Sequence, residues 1–282
     1  MRAPSGGGDS SAEPLATGCE AFTTTPEYWD EIAGKWRRVG EGRAWRMVSD
    51  AVNAELLSHW VSPDPGGSVL KTDLFDEVVG TGLVPWLSAS FGRVAGIDIS
   101  PALVAMARAR FPGLRAEAAD VRSLPFPDGE FDAIVSNSTL DHFPSHEDIG
   151  VALEELHRVL RRGGRLLVTF DNPLNPVVAV RNALPERLRA ASGMVPFAVG
   201  ATCGPRRLRA LLQQTGFDVS RVGAVFHCPR LLVVLAGHLI DRRGGATAKR
   251  GYVRLWTGFE RLASLPTRFL TGYFVAALAH KR

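Results

Sequence analysis

Gly96-Ile97-Asp98-Ile99-Ser100 is the stretch on which the reading of this chain turns. Val94-Ala95-Gly96-Ile97 has the length and apolar character of a buried strand, and it ends in one carboxylate, Asp98. Ser100 is a natural helix cap, and Pro101 suits the first helical position. A Gly80-Thr81-Gly82 turn lies upstream. In a parallel sheet, an acid at the carboxyl end of the second strand is placed to accept both hydroxyls of a ribose, and upstream glycines let backbone approach a ligand. These residues predict an adenosine-containing ligand.

Working outward, strands and helices alternate on both sides of that stretch. Ser68–Thr72 is the first strand, entered from the breaker cluster Ser62-Pro63-Asp64-Pro65-Gly66-Gly67. Leu83–Phe91 reads as a helix, Val94–Ile97 as the second strand, Pro101–Ala109 as a helix and Leu114–Ala118 as a weak third strand. Phe131–Ser136, Arg165–Phe170 and Phe217–Phe226 follow as strands, with helices at Asp148–Leu160 and Pro205–Thr215 between them. Short strands alternating with helices predict an α/β fold: a Rossmann-like, doubly wound, mostly parallel seven-stranded sheet with helices on both faces. Its ligand crevice belongs at the carboxyl ends of the strands.

Bulk composition sets the frame. The chain has 282 residues, 45% apolar and 22% charged, with a formal net charge of +4, so an ordinary globular chain with one elaborated domain is expected. The arginines are scattered, and pairs such as Arg161-Arg162 and Arg206-Arg207 read as solvated helix faces rather than a nucleic-acid footprint. Cys19, Cys203 and Cys228 lack metal-ligand spacing, and no metal is expected; a sparse, odd set argues for a reducing, cytoplasmic setting. Leu231 to Ile240 is the longest apolar run and is interrupted by His238, whereas a membrane span needs roughly 20 residues. Residues 1–25 read as a disordered tail, 26–62 as N-terminal helices, 68–226 as the ligand-binding core, 229–266 as a helical insertion and 270–279 as a closing strand.

Further motifs come in a fixed order after Asp98. Ala119-Asp120-Val121 is followed by Leu124-Pro125-Phe126-Pro127-Asp128-Gly129-Glu130-Phe131-Asp132, then by Asn137-Ser138-Thr139-Leu140-Asp141-His142-Phe143, then by His157-Arg158-Val159-Leu160-Arg161-Arg162-Gly163-Gly164. In this order the chain resembles the class I S-adenosylmethionine-dependent methyltransferases, in particular the small-molecule branch with a Leu-Pro-Phe-x-Asp-x-x-Phe-Asp signature. The resemblance covers roughly 68–172 and the 205–226 helix and strand.

The resemblance implies S-adenosylmethionine as cofactor and assigns roles to it. Asp98 would take the ribose hydroxyls and Ile99 would lie against adenine. Asp120 would accept the adenine amino group, Val121 would donate its backbone N–H, and Asn137 would line the methionine end. Each has a plainer reading: a helix N-terminal acid for Asp98, a turn aspartate for Asp120, a strand-end cap for Asn137. Gly80 and Gly82 would form the glycine loop, yet the first motif departs from the family. Aligning the glycines puts Asp76 at the acid position, whereas aligning the strand puts Asp73 just past its end. Either could hold the cofactor's ammonium, with Asp73 favoured, or the acids could simply balance Lys71. His142, after the fourth strand, is the candidate base, with cofactor positioning or packing as its alternative. Tyr28, Trp29 and Trp36 would lie on a lid helix or in the core. On the two helices of 229–266, Leu231, Leu232, Val233, Leu235, Leu239, Trp256 and Phe259 would wall an apolar pocket or pack on the sheet.

The implied activity is methyl transfer to an oxygen, nitrogen or carbon of a mainly apolar small molecule. A nicotinamide oxidoreductase would share Asp98 and the glycine turn. It is disfavoured because Pro85 stands where a third glycine belongs and because Asp73, Asp76 and Glu77 would oppose a pyrophosphate. A non-catalytic module that keeps the fold is the third reading.

Overall fold

The computed structural model describes residues 25–39, 43–185, 188 and 199–282. Cys19, most of the expected N-terminal tail and the side chain of Trp36 lie outside the described residues. Seven strands form one sheet: β1 (Asp64–Lys71), β2 (Phe91–Asp98), β3 (Arg115–Ala118), β4 (Phe131–Asn137), β5 (Leu160–Asp171), β6 (Phe217–Val225) and β7 (Phe274–Lys281). Their order is β3-β2-β1-β4-β5-β7-β6. All neighbours are parallel except β7, which is antiparallel to β5 and β6. The strand order reverses between β1 and β4, the position at which a doubly wound sheet opens a crevice at its carboxyl edge.

Alternation within each strand sorts the core into two layers. Val69, Val135, Leu167, Ala276 and Leu278 join one apolar cluster, while Leu70, Ile134, Leu166, Val168, Val275 and Ala277 join the other. The first layer is covered by α2 (Arg43–Trp60), α4 (Val84–Ser90) and α5 (Pro101–Arg110). The second is covered by α6 (His146–Val159) and α8 (Pro205–Gln214). α1 (Pro26–Val39) packs Ile32 and Ala33 against Phe75 and Leu103. α9 (Arg230–Arg243) and α10 (Ala246–Thr257) rest on α2, through Val233, Tyr252 and Trp256.

The helices begin where the sequence provides caps. Ser100 accepts the Leu103 N–H with Pro101 at the first helical position, and Ser145 accepts the Asp148 N–H. Asn175 accepts the N–H groups of Val177 and Val178 to start α7 (Pro176–Ala183), a helix absent from the sequence reading. Two further differences have local causes. The stretch after Asp73 contains a five-residue helix, α3 (Phe75–Val79), because Phe75 is buried and supplies an anchor. The closing strand starts at Phe274 rather than Leu270, because α11 (Arg268–Thr271) and the 3-10 turn Gly258–Ser264 precede it. Among the described residues no helix is long and apolar enough to cross a membrane.

Candidate active site

The carboxyl ends of β1, β2, β4 and β5 bring Lys71, Asp98, Asn137 and Asp171 to one edge of the sheet. Asp98 is 6% exposed. One carboxylate oxygen accepts the Ser100 N–H and the other the Leu74 N–H, each at 2.9 Å. Burial pushes its pKa up to about 7, partly offset by those two amides. Ile99 beside it is half-buried, and the Ser100 hydroxyl bonds Asp30 of α1, which ties that helix to the rim.

Asn137 ends β4 with both side-chain polar atoms buried and without a hydrogen-bond partner. Buried amides are almost always satisfied, so this one calls for a polar group. Ser138 follows at φ 48°, a strained conformation for a non-glycine residue, and its hydroxyl donates to Asp141 at 2.8 Å. Asp141 is fully buried; desolvation, then the neighbouring Asp171, raise its pKa to about 6. The same Asp141 carboxylate accepts the Asp171 N–H at 2.9 Å, and Asp171 pairs with the buried Arg181 at 2.6 Å. His142 sits in the 3-10 turn Leu140–His142, with Trp29 of α1 edge-on to it at 4.9 Å. Trp29 also meets Phe75 at 6.2 Å and Tyr28 at 5.3 Å, so an aromatic group from α1 covers this rim.

The first motif is built differently from expectation. Lys71, the last residue of β1, is buried at 1% exposure. Its ammonium donates to the Asp73 carbonyl at 2.7 Å and the Asp73 carboxylate at 2.9 Å, and pairs with Glu77 at 3.3 Å. Burial works against its charge, but Asp73, Glu77 and Asp76 together raise its pKa. Asp73 is thus at the strand end, as expected from the strand alignment, and is neutralised by Lys71. Asp76 turns away to Arg46, which also covers the Phe75 ring.

Gly80 and Gly82 are separated from β1 by α3, so the glycine turn is not the loop that directly follows the first strand. Its amides are already occupied. Asp50 of α2 accepts from Thr81 and Gly82 at 3.1 and 3.0 Å, and Glu77 accepts from Leu83 and Val84 at 3.0 and 3.1 Å. Gly82 has φ +69°, and a Cβ there would lie 1.8 Å from a Glu77 oxygen. The turn, expected to serve as the cofactor loop, therefore closes on protein carboxylates.

Asp120 is likewise claimed by a neighbour. Arg122 grips it through Nε at 3.1 Å and Nη2 at 2.7 Å, reaches Asp148 at 3.0 Å, and stacks over Phe143. Val121 is buried with Leu124 and Phe126. Sequence reasoning missed Asp50 and the capping role of Glu77, because their partners lie on other elements. For Lys71 there was a signal: a lysine that closes a strand after the apolar Val69-Leu70 pair must find acids nearby.

Comparison with known proteins agrees with this fold. Residues 78–168 match the model of the methyltransferase domain family. A demethylmenaquinone methyltransferase of Thermus thermophilus is 34% identical over 166 residues, spanning 52% of this chain and 74% of that protein. The chain is a class I S-adenosylmethionine-dependent methyltransferase. A 2-phytyl-1,4-naphtoquinone methyltransferase of Nostoc punctiforme is 30% identical over 162 residues, covering 55% of this chain and 65% of that one. A geranyl diphosphate methyltransferase structure, solved with geranyl diphosphate and sinefungin, shares the fold at TM-score 0.55 and 16% identity, over 82% of this chain and 78% of that chain.

S-adenosylmethionine is the cofactor of this methyltransferase, and two features of the crevice fit it. Asp98 uses only two of its roughly four lone-pair positions on backbone amides, leaving acceptor capacity for hydroxyls. Asn137 offers a buried, unsatisfied amide on the neighbouring side of the switch point.

Proposed function

We propose that this methyltransferase alkylates an oxygen, nitrogen or carbon of a mainly apolar small molecule of the quinone or secondary-metabolite kind. The cofactor supplies an electrophilic methyl group on a sulfonium. Asp98 accepts the ribose hydroxyls, Ile99 packs on adenine, and Val121 donates its backbone N–H to the ring. Asp120 contributes whatever acceptor capacity Arg122 leaves. Asn137 satisfies its amide on the methionine end, and Asp73, at the end of β1, faces the ammonium. Gly80 and Gly82 have no direct contact in this assignment; they shape the turn that holds α4.

The chain's remaining task is orientation and exclusion of water, since the leaving group is already good. Tyr28, Trp29 and Phe75 form the apolar wall that would receive a flat acceptor. His142, edge-on to Trp29 at the rim, takes the proton that an acceptor hydroxyl or acidic carbon releases as its bond to the methyl carbon forms. The observation that carries this reading is the buried Asp98, with spare acceptor capacity, at the same sheet edge as the unpaired Asn137 amide, one strand apart across β1. The names of the two quinone-modifying relatives support the acceptor class.

Calorimetry tests it. The protein is expected to bind S-adenosylmethionine and S-adenosylhomocysteine but not NADH or NADPH, and Asp98→Ala is expected to abolish most of that affinity. His142→Ala is expected to slow methyl transfer to demethylmenaquinone while leaving S-adenosylhomocysteine affinity intact. Undiminished cofactor binding by Asp98→Ala would refute the ribose assignment.

A further inference from the structure

α9 carries an unusual outer face. Leu231, Leu235 and Leu239 recur every fourth residue, so they line one side of the helix, and Leu232 flanks them. Their exposures are 70%, 55%, 65% and 54%. The opposite side is fixed inward: Val233 is fully buried, the Tyr252 hydroxyl donates to the Val233 carbonyl at 2.7 Å, and a Cβ at Gly237 would press on Tyr252. Asp241 holds the Ala44 N–H of α2 at 3.0 Å. The helix therefore cannot roll to hide its leucines without breaking these contacts. Leucines at regular spacing on a fixed outward face mark an interaction surface, unlike scattered exposed apolar residues.

Charge identifies what the face meets. Arg242 continues the leucine side of α9 by one further turn, and Arg243 adjoins it; both are exposed. On α10, Arg250 and Arg254 are exposed one turn apart, with Lys249 and exposed Leu255 beside them. Across residues 229–257 the outward basic groups are Arg242, Arg243, Lys249, Arg250 and Arg254, Arg230 lies over the Trp45 and Tyr273 rings, and the lone acid, Asp241, is engaged inward. A second copy of the chain would set this basic surface against itself. An acidic soluble partner would leave the leucines unexplained.

We infer that the α9–α10 face docks the protein on an anionic bilayer surface, with the leucines entering the acyl boundary and the arginines and Lys249 meeting lipid phosphates. This surface stands independently of the methyl-acceptor assignment. It would give an enzyme for an apolar acceptor direct access to the phase in which such a molecule dissolves.

Sedimentation of the full chain with vesicles tests it. The protein is expected to pellet with equimolar phosphatidylcholine–phosphatidylglycerol vesicles, to stay in solution with phosphatidylcholine alone, and to be released by high salt. Leu235→Glu/Leu239→Glu and Arg242→Glu/Arg243→Glu are each expected to weaken the partition by about tenfold or more, with unchanged circular dichroism. A wild-type protein that stays in solution with the anionic vesicles overturns the inference. So does pelleting that survives the leucine pair's replacement. A dimer in light scattering that Leu235→Glu/Leu239→Glu dissociates, without vesicle binding, would assign the face to a second copy instead.

Discussion

Replacing Lys71 by methionine tests the rebuilt end of β1. Methionine keeps most of the stem volume and removes the charge. In the native protein the ammonium has three acceptors within reach, two on Asp73 and one on Glu77, and both Lys71 and Glu77 are essentially without solvent exposure. Losing the cation leaves the Glu77 carboxylate buried with only the Leu83 and Val84 amides. Removing one partner of a buried pair typically costs about 3–5 kcal/mol, a large share of the roughly 5–15 kcal/mol that holds a domain folded. The loss is expected to depend on pH. Burial already raises the Glu77 pKa, with Lys71 opposing it, so without Lys71 the folded-state value rises further. The folded variant then binds a proton that the unfolded chain releases from about 4.5 upward, and its stability falls as pH rises. Urea unfolding at about pH 5 and pH 8 should therefore show the smaller deficit at the lower pH. Lys71→Met/Glu77→Gln should recover a large part of the deficit, because a neutral amide can remain in place and still accept one cap. A Lys71→Met cost below about 1 kcal/mol, equal at both pH values and unaltered by the second substitution, would refute the buried-pair argument.

Gly82→Ala should destabilise by about 2 kcal/mol or more in the same assay, since it combines a left-handed backbone with a Cβ 1.8 Å from a Glu77 oxygen. Gly113→Ala, with nothing within 4 Å of its Cβ, is the control and should change little. Affinity for S-adenosylhomocysteine should fall as pH drops through about 7, approaching tenfold per unit, because burial raises the Asp98 pKa to about 7 and its charged form is the better acceptor. An affinity flat between about pH 6 and 8 would detach Asp98 from the ribose.

The fold was legible because its signals are local. Val94–Ile97 ending in Asp98, the Ser100-Pro101 cap and the apolar Phe131–Ser136 run each announce themselves within a few residues, and their order implies the sheet. Asp98 and Asn137 could be placed at the crevice for the same reason: a strand's last residue faces the carboxyl edge whatever its neighbours do. What the sequence hid was pairing between elements. Arg122 is two residues from Asp120, yet its grip depends on the loop geometry after β3 and on Asp148 from α6. The glycine turn looked like a ligand loop because glycines mark close approach without saying what approaches. Here the approaching groups are Asp50, which lies earlier in the chain, and Glu77, which α3 turns back.

That substitution has a physical consequence for the crevice. A carboxylate over the first amides of α4 satisfies its N-terminus from within, so the helix dipole is spent on Glu77. Lys71 in turn makes that buried carboxylate tolerable, and Asp73 completes the neutralisation beside the strand end. The backbone donors after α3 and the Lys71 ammonium are thereby closed in one ion cluster. Asp98 and Asn137, at the ends of the second and fourth strands, keep unfilled hydrogen-bonding capacity, and the proposed cofactor contacts rest chiefly on them. The same reasoning fixes the order of sensitivity. A change at Asp98 should act on cofactor affinity first, whereas a change at Gly82 should act on stability first and reach affinity only through displacement of α4.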